Sequence, residues 1–310
     1  MIKIYSPASI GNINVGFDSL GVALSRLDNG ILGDYVSIIP HKKFTLIKTG
    51  LFIQDLPVDN ENIIFHCWLK FCDKINKTIP VKVLLEKNVP VASGLGSSAC
   101  SIVSFLKAMN ILCKYPLTNT ELIILMGELE GLFSGNIHYD NIIPCYLGGM
   151  KLILSMKHIS IQDIPIFTNW LWVIAYPGIS LSTYNSRKIL PDTYTLKTCI
   201  QHSQYLAGFI HASHIKNEIL AAKLLKDHIA EPYRKNIIPN FNKVKKKAKQ
   251  LDALNYGIAG SGPTIFCIFN NLNTAQDMVI WLKKYYIQNN KGFVYICAIN
   301  QIGTQIMEKT

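Results

Sequence analysis

The first part of the chain alternates short apolar runs with turns. Val81, Val83 and Leu85 take every second position of one such run, which is the spacing typical of a half-buried strand. Similar strand-like runs are "MIKIYSP", "DYVSIIP" and "FTLIKTG". We therefore predict a series of strands in this part of the chain.

After "GLGSS" the period changes to that of a helix. One apolar stripe is formed by Ala99, Ile102, Val103, Leu106, Met109 and Cys113. A further helix is expected to begin at Thr118 or Thr120, with Glu121 in its first turn, and to end in the Gly131 to Gly135 region. The pattern thus predicts two successive helices behind the glycine-rich stretch.

The second half mixes strands and helices irregularly. "YLGGMKLILS" and "NWLWVIAYPG" predict strands, and the region from "TLKTCIQHSQ" to "NFNKVKKKAKQLDAL" is mostly helical. The chain closes with the glycine turn and strand "GIAGSGPTIFCIF", the amphipathic "TAQDMVIWLKKYYIQ" and the strand "GFVYICAI". This order favours an α+β fold, and the length of 310 residues favours two domains, which we place at 1–155 and 156–310.

The composition is that of a folded protein. With 49% hydrophobic and 16% charged residues, the chain has enough apolar side chains for a substantial core. Its first stretch, "MIKIYSPASIG", lacks the basic region and apolar core of a secretion signal. No apolar run approaches the roughly 18 residues that cross a bilayer. We therefore expect a cytoplasmic protein without a membrane partner.

The cysteines favour the same compartment. None has the C-x-x-C spacing of zinc or redox sites, and most have apolar neighbours. We expect reduced packing residues at Cys67, Cys72, Cys100, Cys113, Cys145, Cys199, Cys267 and Cys297.

The formal net charge of +11 is compatible with a nucleic-acid surface or with an anionic substrate. Its densest run, "KVKKKAKQ" from Lys243 to Gln250, predicts the solvated side of a helix and contains no aromatic residue on which bases would stack. We therefore expect no nucleic-acid partner. A non-catalytic basic module that binds RNA or DNA remains the alternative from a different class.

Between Val89 and Ser101 the chain reads "VPVASGLGSSACS". A strand, a glycine loop and a helix in this order form a recurrent anion site, because first-turn N–H groups lack partners and the helix dipole is positive there. Gly94 and Gly96 permit close approach, and Ser97 and Ser98 add hydroxyls. A helix cap with a flexible lead-in is the alternative interpretation.

Two well-known phosphate motifs do not account for this loop. A Walker A loop needs G-x-x-x-x-G-K-[ST], and "SGLGSSA" contains no lysine. A dinucleotide fingerprint needs a following strand and an acidic residue about 20 positions later. Here the next predicted element is another helix.

Instead, "VPVASGLGSSAC" resembles the P-x-x-x-G-L-G-S-S-A phosphate loop of the GHMP small-molecule kinases. "SPASIGNINVGFDSLG" is similar to the substrate-side motif of that family, and "GIAGSGPTIFCIF" to its third, glycine-rich motif. The likeness runs from about Lys3 to the last strand. One departure is "SIGNIN", where the family more often has Ser-Ser-Ala-Asn; the asparagine is retained as Asn12.

Within the family, the chain most resembles the members whose acceptor is L-homoserine. "ELEGLFSGNIHYDNIIP" is similar to their E-x-x-x-x-G-x-x-H-x-D-N-x-x-P segment, and "STYNSRKILP" and "AEPYRKNIIP" to their two arginine segments. The resemblance implies an N-terminal mixed α/β domain, a C-terminal ferredoxin-like α+β domain and a homodimer. It also implies ATP-dependent phosphorylation of the L-homoserine hydroxyl, on the route to threonine. Another GHMP kinase, such as a mevalonate-pathway kinase, is the alternative.

The same resemblance assigns the nucleotide site. It implies that the ATP phosphates are wrapped by Pro90, Val91, Ala92, Ser93, Gly94, Leu95, Gly96, Ser97, Ser98, Ala99 and Cys100. Ser98 and Glu130 are implied to hold Mg²⁺, which prefers hard oxygen ligands. Considered without its motif, Glu130 would be a solvated helix carboxylate.

Homoserine is a zwitterion, so its site needs a cation for the carboxylate and an anion for the ammonium. Arg187 and Arg234 are the carboxylate candidates, because guanidinium presents a fork of donors. Asp18 is the candidate for the ammonium, with Asn12 beside it, and His138 is expected to help hold the amino acid. The alternative for each arginine is a surface ion pair. For Asp18 it is an ordinary turn, and for His138 it is a structural histidine.

The predicted catalytic residues are Asp18 and Asn141, which are expected to align the attacking hydroxyl. The resemblance supplies no dedicated general base, so the proton is expected to leave late, to phosphate or water. The third motif, Gly257 to Pro263, is expected to form a tight turn packed beside the phosphate loop.

Overall fold

A computed structural model of the protein describes residues 1–155 and 158–309. The strands are β1 (Ile2–Pro7), β2 (Ser9–Gly11), β3 (Leu20–Arg26), β4 (Gly33–Pro40), β5 (Thr45–Thr49), β6 (Val81–Glu86), β7 (Met150–Ser155), β8 (Ile159–Ile164), β9 (Leu171–Tyr176), β10 (Asn255–Ile258), β11 (Ile265–Phe269), β12 (Phe293–Ile299) and β13 (Gln305–Lys309). The helices are α1 (Ile63–Lys74), α2 (Ser97–Leu112), α3 (Asn119–Ser134), α4 (Ile142–Leu147), α5 (Thr183–Lys188), α6 (Leu196–His214), α7 (Glu218–Leu224), α8 (Glu231–Arg234), α9 (Phe241–Gln250) and α10 (Leu272–Tyr285).

Two sheets carry the fold, and helices pack against both of them. Within the described residues, the first sheet has the order β13-β1-β4-β6-β5, with antiparallel pairs except for the parallel pair of β5 and β6. Helix α2 packs on β1 and β4 of this sheet, with α1 and α3 beside it. The α+β class predicted from the sequence is confirmed.

The second sheet has the order β10-β11-β9-β12-β3-β7-β8, with β2 paired to β3. It combines strands from both halves of the chain, since β12 pairs with both β9 and β3. The last strand, β13, joins the first sheet beside β1. The division into 1–155 and 156–310 stays a prediction, and residues 156 and 157 at its boundary lie outside the described residues.

Local signals account for most of these elements. Helix α3 begins as predicted, because the Thr118 side chain accepts the Glu121 N–H while the Glu121 side chain accepts the Thr118 N–H. It ends at Gly135, which has a left-handed φ of 87°. The lysine-rich run forms α9, whose buried side is Phe241, Val244 and Ala248, so the predicted solvated face is confirmed.

Burial follows the composition. All eight cysteines lie in the described part of the chain as free thiols, and six of them are buried, as predicted. The prediction is wrong for Cys199, which is exposed, and Cys113 is half-buried. The main apolar core extends between the first sheet, α2 and α3, while a smaller cluster lies between β9, β11, α9 and α10. Across residues 1–155 and 158–309, no helix is long and apolar enough to span a membrane.

Candidate active site

Helix α2 has an open N-terminus. Its cap residue, Gly96, has a left-handed φ of 62°, and no side chain of the described residues caps the helix. The contrast with the fully capped α3 is direct, because an uncapped helix of this length leaves first-turn N–H groups available. Gly96, Ser97 and Ser98 line a cleft of about 370 Å³. The helix therefore presents its positive end to a space of ligand size.

The glycines of this loop are required by close approach. A Cβ on Gly94, where φ is +83°, would lie 2.2 Å from the Ala259 carbonyl oxygen. A Cβ on Gly96 would lie 2.2 Å from Ser9 Oγ. The Thr264 N–H also donates to the Ser93 carbonyl at 3.0 Å. The prediction that the third motif packs beside the phosphate loop is confirmed.

A buried ion pair supports the loop from below. Lys87 Nζ donates to the Asp34 carboxylate, to the Ser97 carbonyl at 2.7 Å and to Ser101 Oγ at 3.0 Å. The Lys87 and Asp34 side chains are 1% and 0% exposed. The other Asp34 oxygen accepts the N–H groups of Asn88 and Val89. One carboxylate thus holds the strand end before the loop, while its lysine partner holds the helix after it.

Ser98 and Glu130 meet across α2 and α3. Ser98 Oγ donates to Glu130 Oε1 at 2.8 Å, while the buried Glu130 Oε2 has no hydrogen-bond partner among the described residues. Burial raises the pKa of Glu130, although the charge of His138 and the Ser98 hydroxyl oppose the shift. A buried carboxylate oxygen without a partner, next to a hydroxyl, is a donor set that suits a hard cation such as Mg²⁺.

His138 lies beside this carboxylate. Its Nδ1 is 2.9 Å from Asp140 Oδ1, and its buried Nε2 is 3.9 Å from Glu130 Oε1 without a hydrogen bond in the described structure. Burial opposes the imidazolium charge, but the hydrogen bond to Asp140 and the charges of Asp140, Glu130 and Asp18 outweigh it and raise the pKa of His138 to about 9. The ring therefore carries a positive charge at neutral pH.

Asp18 faces Arg187 across the cleft, and the two side chains form an ion pair. The Asp18 N–H donates to Asn12 Oδ1 at 2.9 Å, and Asn12 Nδ2 donates to the Gly260 carbonyl at 3.3 Å. Burial and the charge of Asp140 raise the pKa of Asp18, and Arg187 opposes them. Asn12 therefore fixes the backbone that presents Asp18.

Arg234 approaches the same space from α8 and is only 4% exposed. Its Nε donates to the Ser186 carbonyl at 3.1 Å and its Nη1 to the Gly260 carbonyl at 2.9 Å. Burial lowers its pKa. The Phe17 ring centroid lies 5.6 Å from the Arg234 guanidinium and 5.5 Å from that of Arg187. An aromatic ring at these distances attracts both cations.

Asn141 lies at the end of the cleft next to the phosphate loop. Ser9 Oγ donates to Asn141 Oδ1 at 3.1 Å, and it also lies 3.1 Å from the Asn141 carbonyl. Ser9, which lies on β2, therefore orients the Asn141 side chain, although the two residues are 132 positions apart in the sequence. Its predicted catalytic role stays a prediction.

The structure brings most of the predicted residues into one cleft. Its lining includes Asn12, Asp18, Val91, Ala92, Ser93, Gly94, Gly96, Ser97, Ser98, Glu130, His138, Asn141, Arg187 and Arg234. The cleft lining leaves out Pro90, Leu95, Ala99 and Cys100, which are buried behind the loop. These four side chains pack the loop, and within the described structure only their backbone remains for a ligand.

Sequence reasoning missed further lining residues, among them Phe17, Asn62, Lys87, Thr183 and Ser261. Asn62 caps α1 by accepting the Ile64 N–H at 3.0 Å. Its Nδ2 is buried without a partner in the part of the chain that the structure describes. The only local signal was an asparagine in front of an apolar run, which predicts a helix cap and no ligand contact.

The arrangement defines a class of protein. A helix N-terminus that opens onto the same cleft as two arginines and a carboxylate suits a kinase of small charged acceptors. Residues 62–149 match the family model for the GHMP kinases N terminal domain, and residues 209–287 match the one for the GHMP kinases C terminal. The chain belongs to the GHMP kinase family.

Full-length relatives narrow the assignment to the homoserine kinases of that family. Homoserine kinase of Buchnera aphidicola subsp. Acyrthosiphon pisum is 53% identical over 306 residues, which cover 98% of this chain and 99% of the relative. The crystal structure of homoserine kinase from Cytophaga hutchinsonii has a TM-score of 0.87 at 31% identity, covering 99% and 97% of the two chains. The L. major mevalonate kinase structure, with a TM-score of 0.71, 14% identity and 96% of each chain covered, shares the fold alone.

Proposed function

We propose that the protein transfers the γ-phosphoryl group of ATP to the side-chain hydroxyl of L-homoserine, which yields ADP and O-phospho-L-homoserine. The observation that carries this proposal is that the open end of α2 and the charged pair Arg187 and Asp18 line the same cleft. Phosphoryl transfer mainly requires alignment and neutralised charge, and both can be supplied by this geometry.

The nucleotide is assigned to the side of the cleft formed by the glycine loop. The α2 N–H groups and the left-handed Gly94 and Gly96 allow phosphate oxygens to approach the backbone. The unpartnered Nδ2 of Asn62 supports a place for the nucleobase, because a buried amide donor suits a ring nitrogen. Lys87 would support nucleotide binding by holding the glycine loop in place, because its ammonium already binds Asp34 and the Ser97 carbonyl.

The Mg²⁺ that accompanies ATP is assigned to Ser98 and Glu130. The fit rests on the unpartnered, buried Glu130 Oε2 beside a hydroxyl donor. When bound, Mg²⁺ neutralises charge on the phosphates during transfer. The residues themselves hold their positions through the Ser98–Glu130 hydrogen bond between α2 and α3.

L-Homoserine is assigned to the opposite side. Arg187 and Arg234 would bind its carboxylate, and Asp18 would bind its ammonium. Because Arg187 and Asp18 pair with each other in the structure, the zwitterion would replace one internal pair by two substrate pairs. His138 is protonated at neutral pH and balances the carboxylates of Glu130 and Asp140 in this region.

The hydroxyl would be aligned by Asn141, whose carboxamide is held by Ser9. Asp18 pairs with Arg187 in the structure and would pair with the substrate ammonium in its place, which argues against its use as a general base. The hydroxyl proton would leave late, to a phosphate oxygen or to water. Under this scheme, Asp18→Asn lowers affinity for homoserine as well as turnover, whereas loss of a true base would leave affinity intact.

The test is a coupled ADP-release assay with ATP, Mg²⁺ and a panel of L-homoserine, mevalonate and galactose. We expect turnover with L-homoserine alone, and turnover with mevalonate in its place would refute the proposal. Arg187→Ala should raise the KM for homoserine while leaving the KM for ATP unchanged. Because the Arg187 and Asp18 side chains are 22% and 39% exposed, we expect the loss to fall below the roughly 2–5 kcal/mol that is typical of a fully buried charge pair.

We also infer a cytoplasmic location and a homodimer. The location is supported by the free thiols, since disulfides are rare in the cytosol. The homodimer rests on family resemblance, and light scattering on the purified protein would test it. The product of the proposed reaction, O-phospho-L-homoserine, would be the phosphorylated intermediate for threonine synthesis.

A further inference from the structure

The Asp227 carboxylate accepts hydrogen bonds from three backbone N–H groups. Its Oδ1 accepts the N–H groups of Ile229 at 2.8 Å and Ala230 at 2.7 Å, and its Oδ2 accepts the Glu231 N–H at 2.9 Å. Burial raises the pKa of Asp227, while the three N–H groups and the charge of Arg234 oppose that shift. One carboxylate thus fixes three consecutive backbone amides.

The amides that Asp227 holds form the start of α8, which spans only Glu231–Arg234. An isolated helix of one turn is unstable, because nucleation fixes several dihedral angles for one hydrogen bond. The Arg234 N–H donates to the Ala230 carbonyl at 2.9 Å, so the backbone of Arg234 is placed by the residues that Asp227 binds. The N-cap residue of α8 is Ala230, whose side chain makes no capping hydrogen bond.

Other contacts to this segment are fewer. The Tyr194 hydroxyl donates to the Ile229 carbonyl at 3.2 Å, and Lys245 pairs with Glu231 at 3.3 Å. Each of these two side chains makes one polar contact to the segment, and the Tyr194 ring also packs against Tyr233 at 6.3 Å, whereas Asp227 holds three backbone N–H groups. Asp227 is the anchor that defines the conformation of the whole turn.

We propose that Asp227 is a positioning residue for substrate binding, which acts by holding the α8 turn so that the buried Arg234 guanidinium reaches the cleft. Through Arg234, the same anchor extends to the Ser186 and Gly260 carbonyls. This inference rests on the proposed function, because it assigns Arg234 to the carboxylate of homoserine. It adds a residue that does not itself line the cleft.

The experiment compares Asp227→Ala with Asn271→Ala. Asn271 also caps a helix in the second half of the chain, since its Oδ1 accepts the Asn273 and Thr274 N–H groups at the start of α10. Both variants should lower the melting temperature. We expect Asp227→Ala to raise the KM for L-homoserine by about tenfold with less than a twofold change for ATP, and Asn271→Ala to change neither.

A double-mutant cycle separates positioning from general destabilisation. In an Arg234→Ala background, Asp227→Ala should change the homoserine KM by less than about twofold, because the side chain it positions is gone. The proposal would be overturned if Asp227→Ala raised the homoserine KM by the same factor in both backgrounds, or if it left the KM of the otherwise wild-type enzyme unchanged. Asp227→Asn, which retains one acceptor oxygen, should give an intermediate KM and serves if the alanine variant does not fold.

The wild-type enzyme provides the remaining control. If it does not phosphorylate L-homoserine, the proposed function fails before Asp227 is tested. If it does, and the cycle shows independent effects, only the role of Asp227 fails.

Discussion

Ser98 Oγ donates a 2.8 Å hydrogen bond to Glu130 Oε1 and so joins the first turn of α2 to the last turns of α3. The relationship is informative because Ser98 lies two positions after the N-cap Gly96, and α2 has no side-chain capping hydrogen bond at its N-terminus. The Ser98 hydroxyl is turned to a carboxylate whose second oxygen has no partner among the described residues. The pair is therefore arranged for a ligand rather than for the helix.

Replacing Ser98 by alanine should lower kcat/KM by about a hundredfold and raise the Mg²⁺ concentration needed for half-maximal rate. The matched control is Ser97→Ala, because the Ser97 hydroxyl donates to the Val89 carbonyl at 3.0 Å and holds the loop. That control should lower the melting temperature with no change in Mg²⁺ dependence. Identical Mg²⁺ profiles for the two variants would contradict the assignment.

Glu130→Gln should abolish activity and yet stabilise the metal-free protein. Burial raises the pKa of Glu130, so its ionised form is disfavoured in the folded state at neutral pH. Glutamine removes that cost, so the Tm of the variant should exceed that of the wild type at neutral pH. The gain should disappear as the pH falls below the ordinary range of a glutamate, where the carboxyl is protonated in both states. A lower Tm for the variant at neutral pH would count against the account.

Gly94→Ala should weaken ATP binding by more than tenfold, because the added Cβ would lie 2.2 Å from the Ala259 carbonyl and φ is +83°. Gly149→Ala is the comparison, since Gly149 also has a positive φ, +71°, but its Cβ would lie no closer than 3.8 Å to Lys151. That variant should lose only about 1 kcal/mol of stability from backbone strain. Calorimetric titration with a non-hydrolysable ATP analogue measures the first effect, and equal affinities would refute it.

Homoserine binding should weaken on acidification at a higher pH than an ordinary aspartate would give. Burial and the charge of Asp140 raise the pKa of Asp18, against the opposing charge of Arg187, so Asp18 loses its charge early as the pH falls. At saturating ATP, the KM for homoserine should therefore rise through this raised pKa. In Asp18→Asn the KM should be high and independent of pH over the same window, and a parallel pH profile would exclude Asp18 as the ammonium partner.

Phe17→Leu should raise the KM for homoserine three- to tenfold, about the effect of losing two cation–π contacts. Leucine keeps an apolar side chain but has no π face to hold the guanidinium groups of Arg187 and Arg234. Phe17→Tyr retains the ring and should remain within about twofold of the wild type. Steady-state kinetics with each substrate varied in turn provides the comparison, and a change confined to the ATP KM would disprove this role.

Local sequence signals predicted what is local in the structure. The period change at "GLGSS" located α2, and the Thr118 and Glu121 pair located the start of α3. Strand β3 was missed because its first five positions are all buried, which removes the alternation that marks a half-buried strand. Helix α1 was missed because the segment before it gave no recognisable helix start beyond Asn62.

The candidate site was predictable only where a motif carries it. Ser98, Glu130, Asp18 and Arg187 were found by resemblance, and the cleft contains them. The Lys87–Asp34 pair joins residues 53 positions apart, and no local pattern marks either of them as a partner. Such supports arise from the packing of α2 on the first sheet, so they become visible only when the fold is known.

The most direct test of the central claim is the identity of the phosphorylated product. Purified protein, ATP, Mg²⁺ and L-homoserine should give ADP and one new phosphorus signal in ³¹P NMR, split into a triplet by the two protons of the adjacent CH₂ group. That splitting marks a phosphate ester on the side-chain hydroxyl. An unsplit signal, from inorganic phosphate or from a carboxyl phosphate, would show that the cleft does not direct ATP to that hydroxyl.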